Sequence, residues 1–389
     1  MKRSPLTLQR QLFGSLANSA FTLALFALLV WAGWGVLSWA FGSAQWLVLR
    51  ANAATLTIGR YPDAQEWRLW LLLGMLTSLA GVSWGRLRGL NNWPLNDRIA
   101  ALLFVISAVL LPWLLAFGAI NQLRLIFLVL LLLLLRQWSG GAWSKAFGKW
   151  WALVWGITYV FGLWLIAGGL GLPAVRPSDW GGLVFTLLIT SLTLLLALPF
   201  GVLLALGRRS GLLLVRWVCV AVIELIRGAP LITLLFVGQN LVGFLSPNGF
   251  APDRVWRATG VLTVFAAAYL AEAVRGGLNS IPMGQQESAR SLGLSSVQTM
   301  GLVVLPQALK VALPALGGQF ISLLQDTTLL SIVGLFDLLG IARSVLSNPD
   351  WLGRYAEVYL FLAVLYWCSC AALALGSRAL EKRLATNYS

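Results

Sequence analysis

A helix needs about 20 consecutive apolar residues to cross the ~30 Å hydrocarbon layer of a bilayer, and this chain offers that length repeatedly. Apolar stretches fall at residues 19–41, 67–84, 99–118, 122–138, 150–172, 183–206, 229–245, 258–276, 308–328 and 352–376. Mean hydropathy is +0.83 and 11% of residues are charged, so few positions interrupt these runs. A soluble core would show amphipathic periodicity instead. The runs are continuous rather than alternating, which excludes a closed β-barrel. The sequence therefore specifies an all-α polytopic membrane protein. The leucine-packed stretch 123–135 either crosses or re-enters, so 8–10 transmembrane helices are expected.

Three features remove other classes. The net charge of +15 does not mark a nucleic-acid binder, because Lys and Arg sit in short loops between apolar runs rather than in one stripe. The three cysteines, Cys219, Cys368 and Cys370, form neither a disulfide framework nor a metal signature. There is no histidine, which removes the commonest general base and metal ligand. An intramembrane enzyme would need a nucleophile–base or metal constellation, and none is legible. The first run follows Lys2, Arg3 and Arg10 and exceeds the ~7–15 residues of a cleaved signal's apolar region, so it reads as an uncleaved first span.

Alternating the spans from a cytoplasmic N-terminus puts 19 of the 28 basic residues inside. That excess predicts both termini in the cytoplasm of a multi-pass plasma-membrane protein. Composition shifts near residue 180. Of 20 tryptophans, 16 lie at or before Trp180, many at span ends where indoles favour the interface. The segment GLPAVRPSDWGG (171–182) reads as a linker. The division predicted is N-terminal extra spans at 1–180 and a working core at 181–389. In the first part, Gly81 and Gly85 permit close helix approach, a pattern also common by chance.

One polar run breaks the core. GQQESARSLGLSSVQT (284–299) falls on the cytoplasmic side in this ordering. Glu287, Ala289, Arg290 and Leu292 favour helix, Gly293 breaks it, Ser295 or Ser296 can cap a second helix, and Pro306 resets the chain before the next span. Ala289 and Leu292 offer a modest apolar face. A loop resting on lipid would carry more Lys and Arg than the single Arg290, so a small-residue, Glu-bearing helix suits a protein groove better.

Two stretches echo each other at the cytoplasmic ends of spans: ELIRG (Glu224, Arg227, Gly228) and EAVRG (Glu272, Arg275). In each, Glu and Arg are three apart and share a helix face. They either form intrahelical ion pairs that settle the helix ends or brace the polar run across that face. Pro230, after Gly228, favours a helix start at Ala229 or Pro230, leaving 212–226 as a separate piece partly along the interface.

QQESARSLGLSSVQTMGLVVLPQAL resembles the coupling-loop signature of ATP-binding-cassette (ABC) importer permeases, carried here by Glu287, Ser288, Ala289, Gly293, Leu305 and Pro306. Ser288 departs from the commoner Ala but is also small. TLLITSLTLLLALPFGVLLALGRRS, IELIRGAPLITLLF, AAYLAEAVRGGLNSIPMGQ and DTTLLSIVGLFDLLGIA are similar to the polar amino-acid permease family, most of all its long, general L-amino-acid branch. The close resemblance covers 181–389, and the first 180 residues match only in kind.

The resemblance implies a type I ABC importer transmembrane fold with a cytoplasmic coupling helix in the 284–306 loop. That loop would dock in a groove of an ATPase subunit and pass its motion to the spans. It also implies the partners: a homologous permease subunit, two ABC ATPases, and an external amino-acid-binding protein. No GxxxxGK[ST] phosphate loop occurs, so ATP and Mg would be bound by the partner ATPase and no cofactor or metal by this chain. An L-amino acid crossing the core needs polar partners. Gln319, Ser322 and Asp326 fall on one helix face, Asp326 suits an ammonium, Thr327 and Thr328 can line the same mouth, and Gln239 and Asn240 form a second polar pair. The same residues can serve instead as interhelical hydrogen-bonding groups. Opines and other polar solutes, or a membrane scaffold or sensor without transport, are the other readings of the chain.

Overall fold

The computed structural model describes residues 12–88, 119–139, 150–245 and 252–385. The apolar run expected at 99–118 lies outside the described residues. Among those described, the chain is helical, with three isolated β-bridges and no strand. It forms two compact units, 1–48 and 49–389.

The first unit is one span. Helix α1 (Leu16–Ser38) is capped by Ser15, whose hydroxyl accepts from the Asn18 N–H, and runs into a π-helical turn, Trp39–Ser43. None of its residues is buried. A helix apolar on every side and exposed throughout belongs in lipid rather than water.

The second unit opens with the short α2 (Ala53–Ile58), then α3 (Glu66–Arg88), α4 (Ala119–Trp138) and α5 (Trp151–Ala167). The two expected glycines do bring α3 and α4 together. A methyl at Gly81 would lie 2.6 Å from the Leu132 carbonyl oxygen, and one at Gly85 would strike the Arg136 carbonyl. Trp151 and Trp155 of α5 both donate to the Ser83 hydroxyl, at 2.9 and 3.2 Å. Arg68 is buried and donates to the Pro173 carbonyl at 2.9 Å, while the Tyr61 hydroxyl donates to that of Ile166 at 2.9 Å. Trp180 is buried edge-on to Trp256, centroids 6.2 Å apart, so the 171–182 segment is fastened into the fold.

The core is built from α6 (Gly182–Arg208), α9 (Arg254–Ser280), α11 (Leu305–Asp326) and α13 (Tyr355–Ala385). Small residues let these helices touch, which is how spans associate where lipid is as apolar as leucine. A methyl on Gly201 of α6 would be 2.8 Å from Leu270 Cβ of α9. Gly277 of α9 sits against the Ala308 carbonyl of α11, and Gly317 of α11 against Ser377 of α13. Helices α7 (Leu213–Gly228) and α8 (Leu231–Leu245) are separate, bent by 110° at the Ala229–Pro230 break. This matches the separate piece expected at 212–226. Six described helices are long and apolar enough to cross a membrane, seven if the bent pair is one span. Helices α3 and α5 coincide with two further expected runs, α5 being 17 residues long.

One local expectation fails. Pro306 does not reset the chain, because the helical path continues from Ser296 through Asp326. Thr299–Val304 form a π-helical turn just upstream. That wider winding is a standard way to accommodate a local break in the i→i−4 ladder.

Between α11 and α13 lies α12 (Leu338–Leu346), capped by Asp337. Its carboxylate accepts from the Leu339 N–H at 3.1 Å and the Gly340 N–H at 3.0 Å, and it is fully buried. Burial pushes its pKa up to about 7 despite those donors. The folded chain therefore keeps this proton at pH values where the unfolded chain, titrating near ~3.9, has lost it. Stability is lost as pH rises between those two values, with a slope of about 1.4 kcal/mol per pH unit. Asp337→Asn keeps an acceptor without the charge, so its unfolding midpoint loses less than the parent's between pH 5 and 7. Asp337→Ala removes the cap at a cost of about 1 kcal/mol. Thermal unfolding of the three proteins in detergent across that range checks both statements.

Candidate functional site

The polar run forms a compact protrusion between α9 and α11. Pro282 is extended and starts α10 (Met283–Ser291). Gly293 ends it at φ +81°, a conformation that strains any residue with a Cβ. The Gly293 N–H donates to the Arg290 carbonyl at 2.9 Å and the Leu294 N–H to the Ala289 carbonyl at 3.2 Å, which closes the turn. A capping box follows: the Gln298 N–H donates to Ser295 Oγ at 3.3 Å, and the Ser295 N–H to Gln298 Oε1 at 3.0 Å. Two helix ends are thus satisfied within about ten residues, so the loop is a shaped body rather than a slack connection.

Its faces differ. Ala289 is buried against its own chain, so it does not join Leu292 in an outward apolar face. Leu292 is 82% exposed and Val297 83%, beside exposed Glu287, Ser288, Arg290 and Gly293. Two bare aliphatic side chains among single charges and small residues make a surface that a protein groove can cover. Leu305 is half-buried and Pro306 exposed at the root of α11.

Behind the loop lies a charge cluster. Glu272 of α9 accepts from Arg275 at 2.8 Å, the expected i,i+3 pair. The other expected pair does not form as the spacing suggests. Glu224 instead meets Arg208 at 3.0 Å, and Arg227 reaches across to Glu272 at 3.6 Å. Arg208 also binds Glu272 at 2.9 Å. Glu272, with 17% of its side chain exposed, is the shared acceptor of three guanidiniums from α6, α7 and α9. Arg208 was not expected from sequence. Its partners lie 16 and 64 residues away, and no local spacing announces them. Arg227 also lies 5.5 Å from the Tyr269 ring centroid. Gly228 ends α7, and Pro230 stands just ahead of α8, which starts at Leu231.

The polar residues expected along a pathway divide into two groups. Gln319, Ser322 and Asp326 do share one side of α11, with Ser322 exposed and the other two half-buried. Exposed Pro314, Ala315, Gly318 and Gln325 extend that side. Gln325 was missed in the sequence and donates to Cys370 Sγ at 3.9 Å. Thr327 is buried, its hydroxyl donating to the Leu324 carbonyl at 2.6 Å, and Thr328 donates to the Gln325 carbonyl at 2.8 Å. Gln239 is a clamp between α8 and α9. Its Nε2 donates to the Arg254 carbonyl at 2.7 Å, and its own backbone carbonyl accepts from Arg257. Asn240 is exposed and donates to the Phe236 carbonyl of its own helix at 2.8 Å.

Known proteins match this chain at several levels. A family described as "Binding-protein-dependent transport system inner membrane component" matches residues 197–386. The chain is 35% identical to the inner membrane amino-acid ABC transporter permease protein YhdY of Escherichia coli (strain K12), over 99% of this chain and 94% of that protein. It is 36% identical to the glutamate/glutamine/aspartate/asparagine transport system permease protein BztC of Rhodobacter capsulatus, over 89% of this chain and 80% of that protein. A crystal structure of an amino acid ABC transporter with histidines is 32% identical, with a TM-score of 0.47, covering 52% of this chain and 92% of that one.

Proposed function

The chain belongs to the amino-acid ABC transporter permeases, and from that premise we infer that it is the membrane-spanning subunit of an importer that carries L-amino acids into the cytoplasm. The observation that carries the coupling role is the capped, outward-facing loop between α9 and α11, with Gly293 at its turn. In this reading Glu287, Ser288, Arg290, Leu292 and Gly293 meet a groove on a soluble ATPase. Ala289 supports the lever from inside, and Leu305 and Pro306 form its root.

ATP and Mg are held by the ATPase, and this chain performs no catalysis. Its part is mechanical. A rigid loop joined directly to α9 and α11 moves both when it is displaced, and the cluster around Glu272 carries that motion to α6 and α7. The side of α11 bearing Gln319, Ser322 and Asp326 lines the route, since polar groups at membrane depth face an interior rather than lipid. Asp326 meets the substrate ammonium there. A homologous permease completes the route as a heterodimer, and an external binding protein delivers the amino acid. Both termini lie in the cytoplasm, and residues 1–180 are an addition to a permease core at 181–389.

Reconstitution tests the reading. The chain is purified with its ATPase and second permease and placed in proteoliposomes. Amino-acid-loaded binding protein outside should raise ATP hydrolysis severalfold and drive uptake of labelled amino acid. A complex in which loaded binding protein changes neither hydrolysis nor uptake contradicts it.

A further inference from the structure

Helix α7 is unlike the other core helices. It is bent 110° from α8, which lies along α9 through Gln239, so α7 turns across the bundle rather than along it. It lies at the same end as the loop, because its Glu224 and Arg227 share the charge cluster with Arg208 and Glu272. Its inner side packs on protein: Ile223 is fully buried and Cys219 lies against Gly207. In its first two turns Val215 also faces Gly207, but the rest turns outward. Residues 211–218 are exposed throughout, Leu214 at 77% and Trp217 at 64%.

The charges on this exposed part have one sign. Arg209 and Arg216 are exposed and have no ion pair among the described residues. No acid occurs from Ser210 to Ile223, and the first one, Glu224, is engaged by Arg208. Arg216 stands on one edge of the helix, while Leu213, Leu214, Trp217 and Val218 turn toward the open side; Arg227, three turns on, is taken up by Glu272. A basic edge beside a leucine- and tryptophan-rich face is the pattern of a helix seated in the membrane interface. The coupling loop has the opposite make-up, with a Glu and small residues.

We propose that Arg209 and Arg216 bind the phosphate headgroup of an anionic phospholipid in the cytoplasmic leaflet, with Leu213, Leu214 and Trp217 seated among its acyl chains. Charge complementarity selects this occupant, since the anionic leaflet attracts unpaired arginines near a span end. Occupancy steadies α7, and Arg208, Glu224 and Glu272 pass that constraint to α9 and so to the loop. Anionic lipid thereby raises coupled hydrolysis.

The test uses the complete transporter in nanodiscs of phosphatidylcholine with or without phosphatidylglycerol. The parent should retain phosphatidylglycerol through delipidation and hydrolyse ATP faster in its presence. Arg209→Gln/Arg216→Gln should weaken retention roughly tenfold or more, from the loss of two cationic contacts, and remove the stimulation. Arg209→Lys/Arg216→Lys should restore both, and hydrolysis in pure phosphatidylcholine should be alike in all three. Equal retention by the parent and the Gln variant overturns the proposal. So does a label on Leu214→Cys that crosslinks to the second permease or the ATPase and is shielded from a lipid-phase quencher, because the face is then a protein interface.

Discussion

Glu287→Arg combined with Gly293→Val is expected to abolish ATP-driven amino-acid uptake while the subunit still folds and inserts. Glu287 is exposed on the loop, so reversing its sign leaves the chain's own packing intact. At a docked surface, truncating or opposing a hydrogen-bonded charge costs about 2–5 kcal/mol, or roughly thirtyfold or more in affinity. Gly293 acts differently. A Cβ there meets nothing within 4 Å, so steric collision plays no part, yet φ is +81°. A β-branched residue is strained there by about 1–2 kcal/mol, and relief of that strain re-aims α10. Gly293→Asn, which tolerates the left-handed region, should be milder than Gly293→Val. Uptake in cells and recovery of the ATPase on the tagged permease read both effects. Unchanged uptake in the double variant contradicts the coupling role.

Glu272→Gln has the second large effect. The substitution keeps shape and removes the negative charge that three arginines share. Arg208 retains Glu224 at 3.0 Å, but Arg227 and Arg275 lose the carboxylate that they reach at 3.6 and 2.8 Å. Glu272 is 17% exposed and its arginines 25–39%, so losing the charge-assisted bonds costs about 1.5 kcal/mol, and here one carboxylate serves three helices. Uptake should fall more steeply than ATP hydrolysis, since α6 and α7 no longer follow α9. Adding Arg208→Gln should cost less than the sum of the two single changes, because both belong to one network. Thermal unfolding together with the ratio of uptake to hydrolysis checks this. A variant with the parent's midpoint and the parent's ratio would show that the cluster merely decorates the helix ends.

Local features of the sequence were legible where physics is local. Continuous apolar length announced the spans because it depends on one helix alone, whereas Gly81 and Gly85 permitted a close crossing but did not name α4 as the partner. Gly293 and Ser295 announced the turn and the cap of the loop, since left-handed backbone and N-capping favour those residue types. What was hidden is tertiary. The three-residue spacing of Glu224 and Arg227 suggested a pair within one helix, but Arg208 and Glu272 compete for them from other helices. Ala289 turns inward because α10 packs on the π-helical turn Thr299–Val304, which its small size permits but does not reveal. Pro306 looked like a break because the compensating π-helical turn at Thr299–Val304 has no residue signature. Gln239, readable as a pathway group or as an interhelical hydrogen-bonding group, makes the interhelical bond: its Nε2 donates to the Arg254 carbonyl and its own carbonyl accepts from the Arg257 guanidinium.

A loop that couples ATP hydrolysis to the spans must touch the ATPase. With Cys219, Cys368 and Cys370 replaced, Leu292→Cys supplies one thiol at the exposed C-cap of α10, where Ala289 would be buried. A short bifunctional crosslinker is applied to the assembled transporter with and without ATP. An adduct between this subunit and the ATPase is expected in both conditions, with a yield that changes on nucleotide binding. Absence of any ATPase adduct from Leu292→Cys in a transporter that still imports amino acids would contradict the coupling role.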